Sequence, residues 1–295
     1  MKNRQRIQTC IAGLLLLALA VPDLANSQPV SQPNSVTDSI GRYKAIMATR
    51  HQPGVSAHRG NSQLAPENTL ATFQEVLRMQ VDFIEIDVRT TQDNQLVILH
   101  DGSLNRTTTG SGPIKDQTLT TLKTLSAGKG FDNRFQAERI PTLAEVCQLV
   151  SRWNASHKTQ TNLYVDCKAV APQPLVETLQ TYGLLKNAVF YGSDEALLAL
   201  KQVAPTARLM PSLDKAEDMP TKISKLKPYA FDLNWAVVNE SLIQQIHQQG
   251  IKAFSDLLDS FDTPENYQKA AQFHLDVIQT DYVLNVYKSL TQKVH

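Results

Sequence analysis

The sequence has little of several features that would narrow its function at once. The 295-residue chain contains three cysteines, 6% aromatic residues and a formal net charge of +1. This balance of charge favours neither a nucleic-acid-binding protein nor a protein that binds anionic membranes, so any attraction for phosphate must be local to a site. Internal repeats and low-complexity tracts are absent from the sequence as well, which removes repeat arrays from consideration.

Long apolar runs are also scarce, and the main one lies at the N-terminus. Three basic residues precede the apolar stretch Ile11 to Val21, and Ala25-Asn26-Ser27 fits a small-x-small cleavage site. The stretch is too short to span a bilayer comfortably. We therefore predict a signal peptide over residues 1–27 and an exported protein, periplasmic or secreted, without stable membrane insertion after cleavage. An uncleaved N-terminal anchor is the less favoured alternative.

The mature chain would keep 26 basic and 27 acidic residues over about 268 residues, since residues 1–27 contain three basic residues and one acidic residue. That length suits one large α/β barrel or two small domains. Residues 28–50 are predicted to form a flexible segment that runs into a short helix near Ile40–Thr49. The domain itself is predicted to cover residues 51–295.

Two cysteines remain after cleavage, Cys147 and Cys167. Export permits a disulfide. Strand alternation points Cys167 outward, toward the predicted helix that carries Cys147. A disulfide between them and a pair of buried thiols remain equally open interpretations.

Extended and helical patterns alternate along most of the chain after residue 54. A predicted helix covers Glu67–Met79, with its apolar residues on one face. Gln92-Asp93-Asn94 is a tight polar turn into Gln95–Leu99, which predicts a hairpin. Eight further strands are predicted, at Val55–His58, Asp82–Val88, Leu163–Cys167, Ala188–Tyr191, Arg208–Met210, Ala230–Leu233, Lys252–Ser255 and Val277–Gln279.

This alternation predicts an α/β fold, a (β/α)8 TIM barrel with one extra strand. A doubly wound open sheet is the alternative. We consider it less favoured because the candidate catalytic residues fall at several strand ends around the chain rather than at one switch point.

The candidate catalytic and ligand-binding residues are concentrated within about forty positions. His58-Arg59-Gly60, Glu85, Asp87 and His100-Asp101 all fall at the ends of predicted strands. Two histidines can divide acid and base work. A carboxylate pair can hold a hard divalent cation, and an arginine can fork onto a phosphate. Together these groups suit the cleavage of a phosphodiester bond.

Residues 57–112 resemble the start of a glycerophosphodiester phosphodiesterase, a family of the PI-PLC-like phosphodiesterase superfamily. The resemblance continues through residues 140–143, Asp166-Cys167-Lys168 and residues 276–281. It implies metal-dependent hydrolysis of glycerophosphodiesters to an alcohol and glycerol 3-phosphate, by paired-histidine general acid/base catalysis. Residues 101–140 resemble the small insertion that this family carries, and we predict one helical stretch in it, Thr118–Leu125.

The resemblance assigns roles residue by residue. His58, His100 and Arg59 are the predicted catalytic residues, and Arg59 and Lys168 the predicted phosphate ligands. The predicted cofactor is Ca²⁺ or Mg²⁺, held by Glu85, Asp87 and Asp166; aspartate stands at the last position where the family usually has glutamate. Salt bridges from Arg59 and Lys168 are the alternative explanation of the carboxylates. Asn68 and Arg106 are interpreted as structural support. For Glu67, a structural role in the first turn of a helix and a contact in the site remain equally open.

One departure from the family lies at Phe254-Ser255-Asp256-Leu257, where members often carry Trp-Thr-Val-Asn. We predict that Phe254 keeps an aromatic wall of the substrate cleft and that Asp256 adds a polar or charged group. The alcohol recognised need not be glycerol.

The expected partner is a small-molecule phosphodiester, with no nucleic acid; the sequence makes no prediction of oligomeric state. Two other functions remain open. One is an exported phospholipase D-like enzyme that acts on lysolipid or sphingolipid phosphodiesters, and the other is a catalytically inactive phosphodiester-binding barrel.

Overall fold

A computed structural model describes residues 53–291 of the chain. The predicted signal peptide, the segment of residues 28–50 and its predicted helix lie outside the described residues. Within residues 53–291, no helix has both the length and the apolar character needed to cross a membrane.

Ten strands form one sheet. They are β1 (Gly54–Ala57), β2 (Phe83–Thr90), β3 (Leu96–Ile98), β4 (Asn162–Cys167), β5 (Val189–Tyr191), β6 (Arg208–Met210), β7 (Ser212–Leu213), β8 (Ala230–Asn234), β9 (Lys252–Asp256) and β10 (Val277–Thr280). All neighbours pair in parallel except β2 and β3.

The sheet closes into a barrel through an interrupted strand. β6 pairs with β5 and β7 pairs with β8, and only Pro211 separates β6 from β7. Proline has no N–H for a ladder, but the Pro211 carbonyl still accepts from the Asp232 N–H at 3.1 Å. Counting β6 and β7 as one strand gives eight parallel strands, which confirms the predicted (β/α)8 barrel.

The ninth predicted strand is also confirmed. β3 runs antiparallel to β2, with Val88 opposite Ile98 and Thr90 opposite Leu96. Asn94 turns the chain between them at a φ of 59°, a conformation that asparagine tolerates better than most residues. The hairpin ends just before His100.

The helices that alternate with the strands are α1 (Leu70–Arg78), α2 (Leu119–Leu122), α3 (Leu143–Ser156), α4 (Pro172–Thr181), α5 (Asp194–Val203), α6 (Met219–Leu226), α7 (Glu240–Gln248), α8 (Pro264–Gln272) and α9 (Val283–Thr291). The predicted start of α1 at Glu67 is wrong. Thr69 is the N-cap and accepts from the Thr72 N–H, while Asn68 before it has a φ of 55° that no α-helix contains. The predicted helix Thr118–Leu125 is shorter than expected and covers only α2.

Residues 101–140 lie between β3 and α3 and contain only short helical turns besides α2. The segment has a small apolar cluster of its own, formed by Val97, Leu99, Leu104, Ile114, Leu122, Ala127 and Ile140. This cluster packs the segment onto the hairpin, so it is held beside the C-terminal ends of the barrel strands.

Apolar side chains also fill the lower half of the barrel interior. The layer consists of Phe83, Tyr164, Val189, Met210, Ala230, Phe254 and Val277. Phe254 is 2% exposed and its ring centroid lies 5.4 Å from that of Phe83. The expected place of Phe254 in the wall of a substrate cleft is therefore wrong. It faces inward as predicted, but at a depth where it packs the barrel core.

Both cysteines are free thiols in the structure, so the disulfide interpretation is not supported. Cys147 lies on α3 and Cys167 at the end of β4. Burial raises the pKa of each thiol to about 12, which leaves both as inert, neutral groups at neutral pH.

Candidate active site

The predicted site residues meet at one end of the barrel, where the C-terminal ends of the parallel strands form its mouth. Glu85 and Asp87 lie on β2 and Asp166 on β4, with Asp87 directly opposite Asp166 in the register. His58 follows β1, and Lys168 follows β4. Parallel pairing thus brings together side chains that are far apart in the sequence.

Glu85, Asp87 and Asp166 form a carboxylate triad. One oxygen of each lies within 4.8 Å of one oxygen of the others. Glu85 and Asp87 are 3% and 1% exposed. Burial raises the pKa of Glu85 well above its usual range, and the charges of Asp87 and Asp166 raise it further. Burial also raises the pKa of Asp166, although Lys168 opposes this. A hard cation between the three carboxylates would relieve this repulsion, so the residues present fit a divalent metal.

Arg59 and Lys168 supply positive charge next to the triad. The Lys168 Nζ lies 2.5 Å from Asp166 Oδ2 and 3.5 Å from Asp87 Oδ1, and the Arg59 Nε lies 3.5 Å from Asp87 Oδ2. The salt-bridge interpretation therefore holds for the two aspartates. Among the described residues, no cationic side chain forms an ion pair with Glu85; its Oε2 accepts the backbone N–H of Arg59 at 2.7 Å. The ion pairs alone leave the triad incompletely neutralised.

The backbone after β1 is shaped to present Arg59. Arg59 has a φ of 50° and Gly60 a φ of 85°. A Cβ on Gly60 would lie 2.3 Å from the Thr72 Cγ2 atom, so only glycine fits there. The turn also directs the Arg59 N–H at Glu85, and the Arg59 side chain lies beside Asp87.

Asn68 has a more direct role than the sequence suggested. Its side-chain Nδ2 donates to Asp87 Oδ2 at 2.8 Å, and its backbone N–H donates to the Arg59 carbonyl at 2.9 Å. It fixes the loop, as predicted, and it also orients one carboxylate of the triad. Groups that hold metal ligands in this way contribute to metal affinity.

His58 is held by a residue that sequence reasoning did not assign. The Nδ1 atom of His58 lies 3.0 Å from Asp281 Oδ1. Asp281 in turn is fixed through its backbone N–H, which donates to Asp262 Oδ2 at 2.8 Å. Asp262 is buried and also accepts the hydroxyls of Thr280 and Tyr267. The available signal was the position of Asp281, just after a barrel strand.

His100 is held by a separate network that involves the insertion. Its Nδ1 lies 2.7 Å from Asp101 Oδ1, and Arg106 Nε donates to Asp101 Oδ2 at 2.8 Å. Arg106 also donates to both oxygens of Glu67, and Glu67 contacts Arg59 at 3.3 Å. The hydrogen bond from Arg106 holds the pKa of Asp101 far below its usual range. Glu67 and Arg106 thus link the two histidine-bearing segments.

Comparison with known proteins agrees with this geometry. The model of the Glycerophosphoryl diester phosphodiesterase family matches residues 58–285. The chain is 31% identical over 236 residues to a glycerophosphodiester phosphodiesterase of Caldanaerobacter subterraneus, covering 77% of this chain and 93% of that one. It is 29% identical over 220 residues to one of Bacillus subtilis, covering 66% and 73%.

Solved structures give the same result. A glycerophosphodiester phosphodiesterase of Agrobacterium tumefaciens superposes with a TM-score of 0.73 at 25% identity, covering 80% of this chain and 100% of that one. A phosphodiesterase of Oleispira antarctica, solved with the product sn-glycerol-3-phosphate, gives 0.72 at 25% identity, covering 81% and 97%. Since the family model spans most of the barrel and includes the residues of the mouth, this chain is an enzyme of the glycerophosphoryl diester phosphodiesterase family.

Proposed function

We propose that the protein hydrolyses glycerophosphodiesters to an alcohol and glycerol 3-phosphate. The observation that carries the proposal is the meeting of two carboxylate-held histidines, an arginine and a buried carboxylate triad at one barrel mouth. The relatives named above carry the name of this activity, and the Oleispira structure contains glycerol 3-phosphate as product. These names favour neither a phospholipase D-like enzyme nor an inactive binding barrel.

The carboxylate triad would hold a divalent cation, and Ca²⁺ or Mg²⁺ suits it best because every ligand is an oxygen. When bound, such an ion supplies positive charge that polarises a phosphoryl oxygen. Asp166 is one methylene shorter than the glutamate usual in the family. In the structure its Oδ2 contacts Lys168, which would hold this carboxylate in place beside Asp87.

Arg59 and Lys168 would bind the phosphate of the substrate. The Arg59 Nε is buried and makes no hydrogen bond, so a guanidinium donor is left for a ligand. Arginine presents its donors in a fork that matches two phosphate oxygens, while lysine acts as a point charge. Together they would offset the charge that develops on the phosphate during the reaction.

The two histidines would move the protons. With its Nδ1 bonded to a carboxylate, each ring keeps its Nε2 for the substrate. One histidine would take a proton from the attacking hydroxyl, and the other would protonate the leaving alcohol, which is a poor leaving group as an alkoxide. The aspartates fix the orientation of the rings and stabilise the imidazolium form during transfer.

The test is an assay of glycerophosphocholine hydrolysis by release of glycerol 3-phosphate, with chelation and metal restoration. We expect activity to be lost on chelation and to return with Ca²⁺ or Mg²⁺. Glu85→Gln should weaken metal binding in a direct titration, because it removes the charge of a buried ligand that has no ion pair of its own. Full activity of a protein shown by elemental analysis to be free of metal would contradict the metal requirement.

We also propose that the protein is exported, on the support of the basic, apolar and small-residue pattern of residues 1–27. Mass spectrometry of the protein purified from its native cell should find a mature N-terminus near residue 28. Full-length protein retained in the cytosol would contradict export and leave the proposed reaction unaffected.

A further inference from the structure

A second pair of carboxylates lies inside the barrel, on strands other than those that carry the triad, and the charge of Asp166 reaches both. Asp232 is on β8 and Asp256 on the neighbouring β9. The register places Asp232 opposite Phe254 and Asn234 opposite Asp256. Phe254 fills the barrel core, so the side chains of Asp232 and Asp256 share its inward direction. We call Asp232 and Asp256 the floor pair, because they lie directly above the apolar layer.

The floor pair has few polar partners among the described residues. The Asp232 Oδ1 atom is buried and makes no hydrogen bond. Asp256 accepts one hydrogen bond, from the Gln279 Nε2 at 2.8 Å. Within residues 53–291, no lysine, arginine or histidine forms an ion pair with either carboxylate. A buried polar atom without a partner is costly, so a group from outside the chain is the natural partner for Asp232.

The arginine and lysine of the mouth form their ion pairs with other carboxylates. Arg59 and Lys168 make their ion pairs with the triad and with Glu67. A divalent ion bound by the triad would satisfy those three carboxylates first. Burial raises the pKa of Asp232 well above its usual range, and the charges of Asp256 and Asp166 raise it further. Burial raises the pKa of Asp256 to about 6, although His58 and Arg59 oppose this.

The surroundings of the floor pair suit an organic cation better than a second metal ion. Two carboxylates fall short of the about six to eight oxygen ligands that Ca²⁺ prefers. The half-buried Tyr191 lies close enough for Asp232 to influence its hydroxyl, which is 3.3 Å from the Ser212 Oγ. A tyrosine ring beside carboxylates attracts alkylammonium groups through its π face. The pair also lies in the same barrel interior as the triad, within reach of a substrate whose phosphate is bound there.

Resting on the function proposed above, we propose that Asp232 and Asp256 form a subsite for a positively charged group on the alcohol portion of the phosphodiester. The preferred substrates would then be esters of ammonium-bearing alcohols.

The experiment compares two substrates with the metal-loaded enzyme. One is glycerophosphocholine, and the other is its neutral isostere, in which a tert-butyl group replaces the trimethylammonium group. We expect kcat/KM to favour the cationic ester by about tenfold or more, since a desolvated charge pair contributes at least that much. Asp232→Asn and Asp256→Asn should each reduce this ratio toward one, mainly by raising KM for the cationic ester.

The control is Asp116→Asn, an exposed aspartate in the segment of residues 101–140 that lies outside the floor pair; the ratio should not change. Equal losses on both substrates in the floor-pair variants, or a fall in bound metal in those variants, would overturn the proposal. Calorimetric titration with tetramethylammonium needs no turnover. Binding by the wild type and not by the floor-pair variants supports the subsite, and no binding by the wild type overturns it. If wild type hydrolyses neither ester but still binds the cation, the proposed reaction fails while the subsite stands.

Discussion

The two ends of the barrel differ in whether their carboxylates are neutralised by other groups of the chain. At the N-terminal end, Asp276 accepts from the Lys252 Nζ at 2.7 Å and from the Ala253 N–H at 2.9 Å, and it lies 2.8 Å from the His247 Nε2. At the C-terminal end, Glu85 has no ion pair among the described residues, and Asp232 keeps an oxygen without any partner.

This difference is informative because the same strands build both ends. A cavity of about 550 Å³ opens at the N-terminal end, between Asp82, Arg208, Lys252 and Asp276, so space alone does not make an active site. There the chain neutralises its own charges, and Arg208 stacks on Tyr229 at 4.7 Å. At the mouth the chain leaves carboxylates in excess, which is expected where ligands complete the charge balance.

The largest expected effect on turnover comes from substitution of the histidines at the mouth. A histidine at the N-terminal end of the barrel serves as the control. His58→Ala and His100→Ala should each lower kcat by roughly 10²–10⁴, because each removes a proton-transfer group. His247→Ala, which breaks a histidine–aspartate pair at the N-terminal end, should leave kcat unchanged. Turnover and thermal melting of the three variants, measured together, check this.

A leaving group that needs no proton separates the two mouth histidines. With a p-nitrophenyl ester, activity should recover only in the variant that lacks the general acid. Near-normal kcat in a folded, metal-bound variant would remove that histidine from the mechanism. Equal loss on both esters for both variants would contradict the division of acid and base roles.

A smaller effect is expected from the amide that orients the triad. Asn68→Gly keeps the φ of 55° accessible but removes the donor to Asp87. Metal affinity should fall by about 10- to 100-fold, as for other groups that hold metal ligands. Asn94→Gly makes the same change at a φ of 59° in the hairpin turn and should not alter metal affinity in the same titration. An unchanged metal affinity in both variants would show that Asn68 acts only through its backbone.

The smallest effect concerns stability without metal, and the two ends should differ in pH window. Asp256 has its pKa raised by burial from 3.8 to about 6, and burial also raises that of Glu85 and Asp232. The folded protein then holds protons that the unfolded chain releases, so stability should fall as pH rises from about 4 through about 6. Lys252, whose pKa is raised from 10.5 by its hydrogen bond to Asp276, stabilises the fold at all lower pH and loses this effect only in alkali.

Chemical denaturation of chelated protein across this range checks the expectation. The double variant Asp232→Asn/Asp256→Asn should show a shallower fall in the free energy of unfolding, and added metal should also reduce the slope by keeping the triad ionised. A metal-free protein whose stability rises steadily between about pH 4 and 6 would contradict the burial of unneutralised carboxylates at the mouth.

Local patterns in the sequence predicted the barrel and the meeting of its chemical residues. Strand ends carried Glu85, Asp87, Asp166 and Lys168, and parallel pairing alone is enough to bring strand ends together. The hairpin followed from a gap too short for a helical crossover. The start of α1 was wrong because Asn68 takes a left-handed conformation within an otherwise helical pattern.

The sequence did not predict how deep each side chain lies in the barrel or which distant residues contact each other. Alternation showed that Phe254 points inward, but its level in the barrel depends on the stagger between strands, which no single strand reveals. Asp281 contacts a histidine 223 positions away in the sequence. The sequence also gives no sign that the Asp232 Oδ1 atom is buried without a hydrogen-bond partner. Such contacts arise from the closure of the barrel.

The contact between His58 and Asp281 joins the first barrel strand to the segment after the last. β1 and β10 pair along their whole length, and the His58 N–H donates to the Thr280 carbonyl at 3.1 Å. A growing chain that ends before β10 has an open barrel and a histidine without its aspartate. His58 therefore gains the carboxylate that holds its ring only after β10 and Asp281 have been synthesised and β10 has paired with β1.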